Sequence, residues 1–306
     1  FGFRKTDRFR TQFIIESVKD LRKNLKERGC RLIVRIGKPE QTLFDLCDQS
    51  KSSWIFCNRE RTQEEVEVQD ALEKNLWSIG REVRFSRGKM LYFTGDLPFP
   101  ITQTPDTFTT FRKEVERIVP IREPLPTAEM ELSDSRFKVD EGHIPSLQDF
   151  GFSEEQANFK PIFSGGETNG LKEMNYYLWD SDLIKTYKET RNGLLGRDYS
   201  SKFSAYLSQG CLSPKLIAQQ VLKYEKERTK NDSTYWLIFE LMWRDFFRLM
   251  GKKYGNAIFQ LGGIQEANNV TDHVDMKLFS KWAAGETGVP FVDANMKQIN
   301  ATGFMS

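Results

Sequence analysis

Apolar residues recur at Ile14, Val18, Leu21 and Leu25, a spacing of i, i+4, i+7 and i+11, which predicts an amphipathic helix early in the chain. Arg31 to Ile36 (RLIVRI), closed by Gly37 and Pro39, is a short β-branched run and reads as a strand. A short helix is expected near Glu40–Cys47, and a second strand over Ser53–Cys57. Val68, Leu72 and Leu76 give a further helix its apolar stripe, and Val83–Phe85 reads as a third strand. Phe108, Phe111, Val115 and Ile118 add one more helix. Strands alternating with helices imply a parallel sheet with helices on its faces, so residues 1–119 are expected to form an α/β, Rossmann-like unit. The chain opens on a helix instead of a leading strand, so the N-terminal edge of that unit is expected to lie before Phe1.

From Pro120 to about Gly170 the periodicity fails. Pro120, Pro124, Pro126, Pro145, Pro161 and Gly165-Gly166 punctuate the stretch, and residues 120–170 read as a long linker draped over the surface. Beyond it the spacing is helical at 171–190, 200–209, 213–229, 233–250 and 276–283, with no strand candidate. Residues 171–306 are therefore expected to be all-helical, and ATGFMS ends inside what reads as an element, so a C-terminal continuation is expected.

Composition narrows the function. The 306 residues are 39% hydrophobic and 29% charged, ordinary for a soluble globular protein. No apolar run reaches the length of a membrane helix, and FGFRKTDRFR has no apolar core to make it a signal peptide. A soluble, intracellular protein with no membrane partner is expected, in the nucleus, the cytoplasm or an organelle, acting as a monomer. The net charge of +2 gives no whole-chain argument for nucleic acid, which leaves only a local patch. Cys30, Cys47, Cys57 and Cys211 show no CxxC spacing, and His143 and His273 are far apart, so neither a zinc site nor a histidine-based nucleophile system is expected. Neither GxGxxG nor GxxxxGKS is present. The aromatic content of 13% implies a large core, a planar cofactor or stacked bases.

The most informative segment is STYWLIFELMWRDFF, residues 233–247. It is apolar and aromatic, yet on a helix Glu240, Trp243, Arg244 and Phe247 share one face. A buried charge needs a partner. That partner is either protein, in a structural ion pair, or a ligand with a flat ring and a negative charge. A second cluster is TYKETRNGLLGRDYSSKFSAYLSQGCLSP, residues 186–214, where Ser200 and Ser201 are expected to open a helix, as its cap or as a phosphate grip. Ser213-Pro214 reads as an N-cap followed by Pro at the first helical position. A third is GETGVPFVDANM, 285–296, a turn and a helix carrying Asp293 and Asn295.

In their order and spacing these three clusters, with TGVPFVDANMKQINATGFMS, closely resemble the flavin-binding domain of the cryptochrome/photolyase family, in its DASH subgroup. The resemblance extends through DLRKNLKERG, IGKPE, DLPF, FRKEVE and the linker's FSGGETNGL. It implies an α/β antenna domain joined by a long linker to a helical domain that holds FAD. Tyr187 matches the family tyrosine near the FAD phosphates. Ser200, Ser201 and Ser204, with Lys202 and Phe203 between them, match the turn that grips the diphosphate. Arg244 matches the arginine beside the flavin, and Glu60 the glutamate contacting a methenyltetrahydrofolate antenna. Glu240 and Trp243 match residues that meet the lesion, so they are the implied catalytic pair, and Arg191 is placed for a DNA phosphate.

The activity implied is light-driven repair of cyclobutane pyrimidine dimers, preferably in single-stranded or looped DNA. The alternative is a blue-light receptor that binds FAD and DNA without repair, and a third possibility is a fragment that holds no FAD. The other photoproduct class needs a histidine pair that neither His143 nor His273 supplies. One departure stands out: Thr271 and Asp272 occupy the place where the family carries a surface tryptophan ahead of the one matching Trp282. Slower flavin photoreduction, or another electron exit, is expected from it.

Overall fold

The computed structural model describes residues 5–127, 139–265 and 275–305. Thr271, Asp272 and His273 lie outside the described residues. The expected stripe at Ile14–Leu25 is part of helix α1 (Arg8–Glu27), capped by the Asp7 carboxylate. Helix α2 (Pro39–Ser50), strand β1 (Trp54–Asn58), helix α3 (Gln63–Trp77), strand β2 (Glu82–Ser86) and helix α4 (Phe108–Ile118) follow in the order the periodicity predicts. β1 and β2 pair in parallel, Trp54 opposite Glu82 through Asn58 opposite Ser86. Leu72, Leu76, Val83 and Cys47 form a small core between this sheet and α2 and α3.

RLIVRI is a correction, because residues 31–36 form no strand. A strand needs a ladder of backbone partners. The segment instead lies along residues 139–142: Val34 N donates to Glu141 O at 2.8 Å, while Arg31 and Arg35 reach the carbonyls of Val139 and Asp140 with their side chains. The linker also departs from a purely superficial course. Leu147 and Phe152 are buried against Ile15 of α1, and a short helix α5 (Glu154–Ala157) carries a Ser153–Gln156 capping box.

The remaining elements are α6 (Glu167–Asn175), a π-helical turn at Tyr176–Asp180, α7 (Tyr187–Thr190), α8 (Ser204–Gln209), α9 (Pro214–Glu227), α10 (Asp232–Tyr254), α11 (Met276–Ala284) and α12 (Pro290–Thr302). Ser213 is the N-cap of α9 and Pro214 its first residue, as expected, although the Ser213 hydroxyl makes no capping bond. Ser200 and Ser201 do not open a helix. Lys202 takes a left-handed φ of 57°, which interrupts the helical path, and α8 starts only at Ser204.

The main core forms around α10. Leu237, Ile238, Leu241, Met242, Phe246, Leu249 and Met250 face inward against α9, the π-turn, α4 and the segment Met90–Tyr92. An Asn231–Thr234 capping box fixes where this long helix starts. Its buried face thus joins the segment after β2 to the helical half.

Candidate functional site

The chemistry-bearing face of α10 emerges beside this core. Glu240, Trp243 and Arg244 are half-buried, and Phe247 is exposed. Each charge has found a protein partner. Glu240 Oε1 lies 2.9 Å from Arg191 Nη1, just past the end of α7. Arg244 donates to Lys89 O at 2.8 Å and to Leu207 O at 3.2 Å. Trp243 stacks on Phe108 of α4, ring centres 3.7 Å apart and planes 12° off parallel, with Phe247 beside it.

Around Glu240 the side chains converge from three elements. Tyr187 is buried, and burial, with the nearby Glu240 carboxylate, pushes its phenol up to about 12. Lys188 and Arg191 both lie over the Trp236 ring. Tyr177, on the π-turn, meets Tyr187 edge-on at 6.3 Å and Phe203 edge-on at 5.9 Å. It therefore links the Tyr187–Arg191–Glu240 set to the Ser200–Ser204 turn.

That turn is tightly packed. Ser201, Lys202 and Phe203 are buried, Ser200 is half-buried and Ser204 is exposed. Lys202 Nζ lies 3.1 Å from the centre of the Tyr199 ring and 4.8 Å from that of Phe304, and finds no hydrogen-bond acceptor among the described residues. It lines a cavity of about 610 Å³ with Tyr176, Arg197, Tyr206 and Phe304. The Tyr177 hydroxyl is likewise buried without a partner among the described residues. A buried ammonium left unsatisfied at the wall of this cavity costs free energy that an anionic ligand can recover.

A second cavity, about 1070 Å³, lies between the β1–α3 segment and α10, lined by Glu60, Arg61, Lys89, Arg244, Phe247 and Arg248 among others. Glu60 precedes α3, whose first-turn acids are Glu64 and Glu65, so it does not serve that helix's dipole. It pairs with Lys89 and lies 3.6 Å from Arg248. Burial and the neighbouring Arg248 and Arg244 hold Lys89 below the usual ammonium range. The sequence placed Glu60 and Arg244 in separate roles, whereas the structure brings both to this cleft. Asp293 is occupied by its own turn, accepting from Thr287 N at 2.8 Å and Gly288 N at 3.0 Å, and Asn295 donates to Phe291 O.

The family follows from two matches. Residues 2–130 match the DNA photolyase family model, and residues 236–306 match the FAD binding domain of DNA photolyase. The chain belongs to the cryptochrome/photolyase family. Along its whole length it is 44% identical to the cryptochrome DASH of Xenopus laevis and 45% identical to that of Gloeobacter violaceus, covering 59% and 61% of those proteins. It therefore spans about three fifths of the curated relatives it matches. The crystal structure of a Synechocystis cryptochrome superposes with a TM-score of 0.93 at 44% identity, over all of this chain and 63% of that one. A class III photolyase from Agrobacterium tumefaciens, 20% identical, shares the fold with a TM-score of 0.78.

Within this cryptochrome/photolyase fold, α10 spans the start of the FAD-binding match, and its buried face holds the segment Met90–Tyr92, which lies within the DNA photolyase match. Sequence reasoning missed Tyr177 and Asp245. Nothing in the spacing of Tyr177 distinguishes it from a core tyrosine. Asp245 carried a signal, a second charge in an apolar helix directly after Arg244. It is fully buried and accepts from Leu91 N at 3.1 Å and Tyr92 N at 2.9 Å. Among the described residues no helix is long and apolar enough to cross a membrane, and no cluster of metal-ligating side chains forms.

Proposed function

We propose that the chain is the antenna-side and flavin-proximal part of a blue-light-driven flavoprotein of the cryptochrome DASH type. It repairs cyclobutane pyrimidine dimers, preferentially in single-stranded or looped DNA. The observation that carries this reading is the Glu240–Arg191 pair beside Trp243, a carboxylate, a cation and an indole together at the edge of the helix that opens the flavin-domain match.

The residues fit FAD. Lys202 Nζ lacks a hydrogen-bond acceptor among the described residues and lines the cavity beside the Ser200–Ser204 turn, and a diphosphate offers acceptors of the right charge. Tyr187, Ser200, Ser201, Lys202, Phe203 and Ser204 would hold the dinucleotide, and Arg244 would meet the flavin from the larger cleft that it lines. Reduced FAD bound there would supply a light-excited one-electron donor, and ring opening with return of the electron is redox-neutral. Glu240 contacts the edge of the dimer, accepting from its imide N–H when ionised and donating to its carbonyl when protonated, and steadies the charge that develops there. Trp243 offers a face for a flipped-out base, stacking worth about 1–3 kcal/mol. Extrusion costs least where the base is damaged or already single-stranded. Arg191 turns from Glu240 toward a phosphate. In the larger cleft, the cations around Glu60 suit an anionic second chromophore such as methenyltetrahydrofolate.

The test is light-dependent repair of a thymine dimer in single- and double-stranded DNA. Glu240→Ala is expected to abolish most of the repair; full activity in that variant removes the assigned role.

The second reading is a blue-light receptor that binds FAD and DNA without significant repair. It draws on the close stacking of Trp243 on Phe108, which already covers one face of the indole. Tight binding of dimer-containing DNA with no turnover under light distinguishes it.

A further inference from the structure

The consecutive residues Arg244 and Asp245 grip one short stretch of backbone. Arg244 donates to Lys89 O, and Asp245 accepts from Leu91 N and Tyr92 N. Three main-chain groups within four residues are thus satisfied by one dipeptide of α10. The stretch carries Lys89, whose ammonium pairs with Glu60 across the 1070 Å³ cleft. Arg248, one turn further along α10, approaches Glu60 from the other side. The carboxylate in the cleft is therefore set relative to α10 by a direct contact and by a contact through the clamped backbone. A fully buried carboxylate with two N–H donors has no comparable alternative geometry, because losing either bond strands a buried group.

We infer that Asp245 is a positioning residue for the cleft: by fixing residues 89–92 it holds Lys89 against Glu60 and so shapes the site for a bound chromophore. This rests on the reading of the cleft as the antenna site. The effect is specific to the cleft, since Asp245 touches neither the Ser200–Ser204 turn nor Glu240 in any described contact.

The experiment, at pH 8 where Asp245 is ionised, compares the wild-type chain with Asp245→Asn, in which the amide presents one acceptor and one conflicting donor to the two N–H groups. Fluorescence titration with 5,10-methenyltetrahydrofolate is expected to show affinity falling about tenfold, while FAD affinity, measured by equilibrium dialysis, stays within twofold. Wild-type folate affinity in a folded Asp245→Asn protein overturns the inference. Equal loss of both ligands also overturns it, since that is the mark of general destabilisation. Hydrogen exchange on the wild type needs no variant. Leu91 and Tyr92 amides are expected to be among the slowest of the segment, and fast exchange there refutes the clamp. If the wild type takes up no folate, the antenna reading fails and the functional inference with it, and exchange decides the clamp alone.

Discussion

Arg191 and Glu240 form a 2.9 Å ion pair that joins the end of α7 to the middle of α10. Both side chains keep about a third of their surface in water, 30% in each case, so the pair is partly screened. Under the proposed function each member has a second use, one toward a phosphate and one toward a base edge, so engaging DNA would exchange one contact for another.

Arg191→Ala is expected to cost at most about 1 kcal/mol of stability, for the pair is partly solvated. The salt dependence of DNA binding should drop by about one unit of log–log slope, the signature of one lost phosphate contact. Binding isotherms at several salt concentrations measure it, and an unchanged slope confines Arg191 to its partnership with Glu240.

Trp243 has a structural role whatever else it does. Trp243→Ala opens a gap between α10 and α4 beside Phe108, and a loss of about 2–4 kcal/mol is expected, below the full core value because the ring is half-buried. Trp243→Phe should retain most of that stability. Urea denaturation of both variants checks the ranking.

Asp245 makes stability pH-dependent in a defined direction. Burial raises its carboxyl from 3.8 to about 7, opposed by the N–H groups of Tyr92 and Leu91 and by Arg244 and Arg248. The folded chain therefore holds this proton more tightly than the unfolded one. The resulting stability is fully present below about pH 4 and is lost as pH rises through about 7. Relative to Asp245→Asn, which does not titrate, the wild type should lose at least about 1.4 kcal/mol between pH 5 and pH 8. Denaturation of both proteins at the two values tests this; a wild type that gains on its variant over that range contradicts it.

Lys202→Met separates binding from folding. Removing a buried ammonium that has no acceptor should leave the apo protein as stable or slightly more so. FAD affinity should fall about tenfold through loss of a charge-assisted contact. Thermal unfolding without FAD and equilibrium dialysis with it give the two readings.

What the sequence revealed follows from where periodicity is dictated by burial. α4 and α10 each put a full apolar face into one core, so their pattern is regular, and α4 falls within its expected bounds. RLIVRI misled because β-branched composition reports a preference for extended backbone, while a strand also needs neighbours. The linker misled in the opposite sense, since Leu147 and Phe152 are isolated apolar residues with no period to flag them. At the site, residues of unusual type in an apolar setting, Glu240 and Arg244, were legible. Lys202's left-handed backbone was not, because lysine gives no hint of positive φ, and Tyr177's unsatisfied hydroxyl exists only in three dimensions.

The two-stranded sheet has a practical consequence. β1 has β2 along one edge, and among the described residues nothing pairs with the other, while Trp54 and Phe56 project from the same face largely exposed. An open edge with aromatic side chains is a template for another chain. Self-association through this edge is then expected to rise with concentration, and a charged residue at position 56 is expected to suppress it.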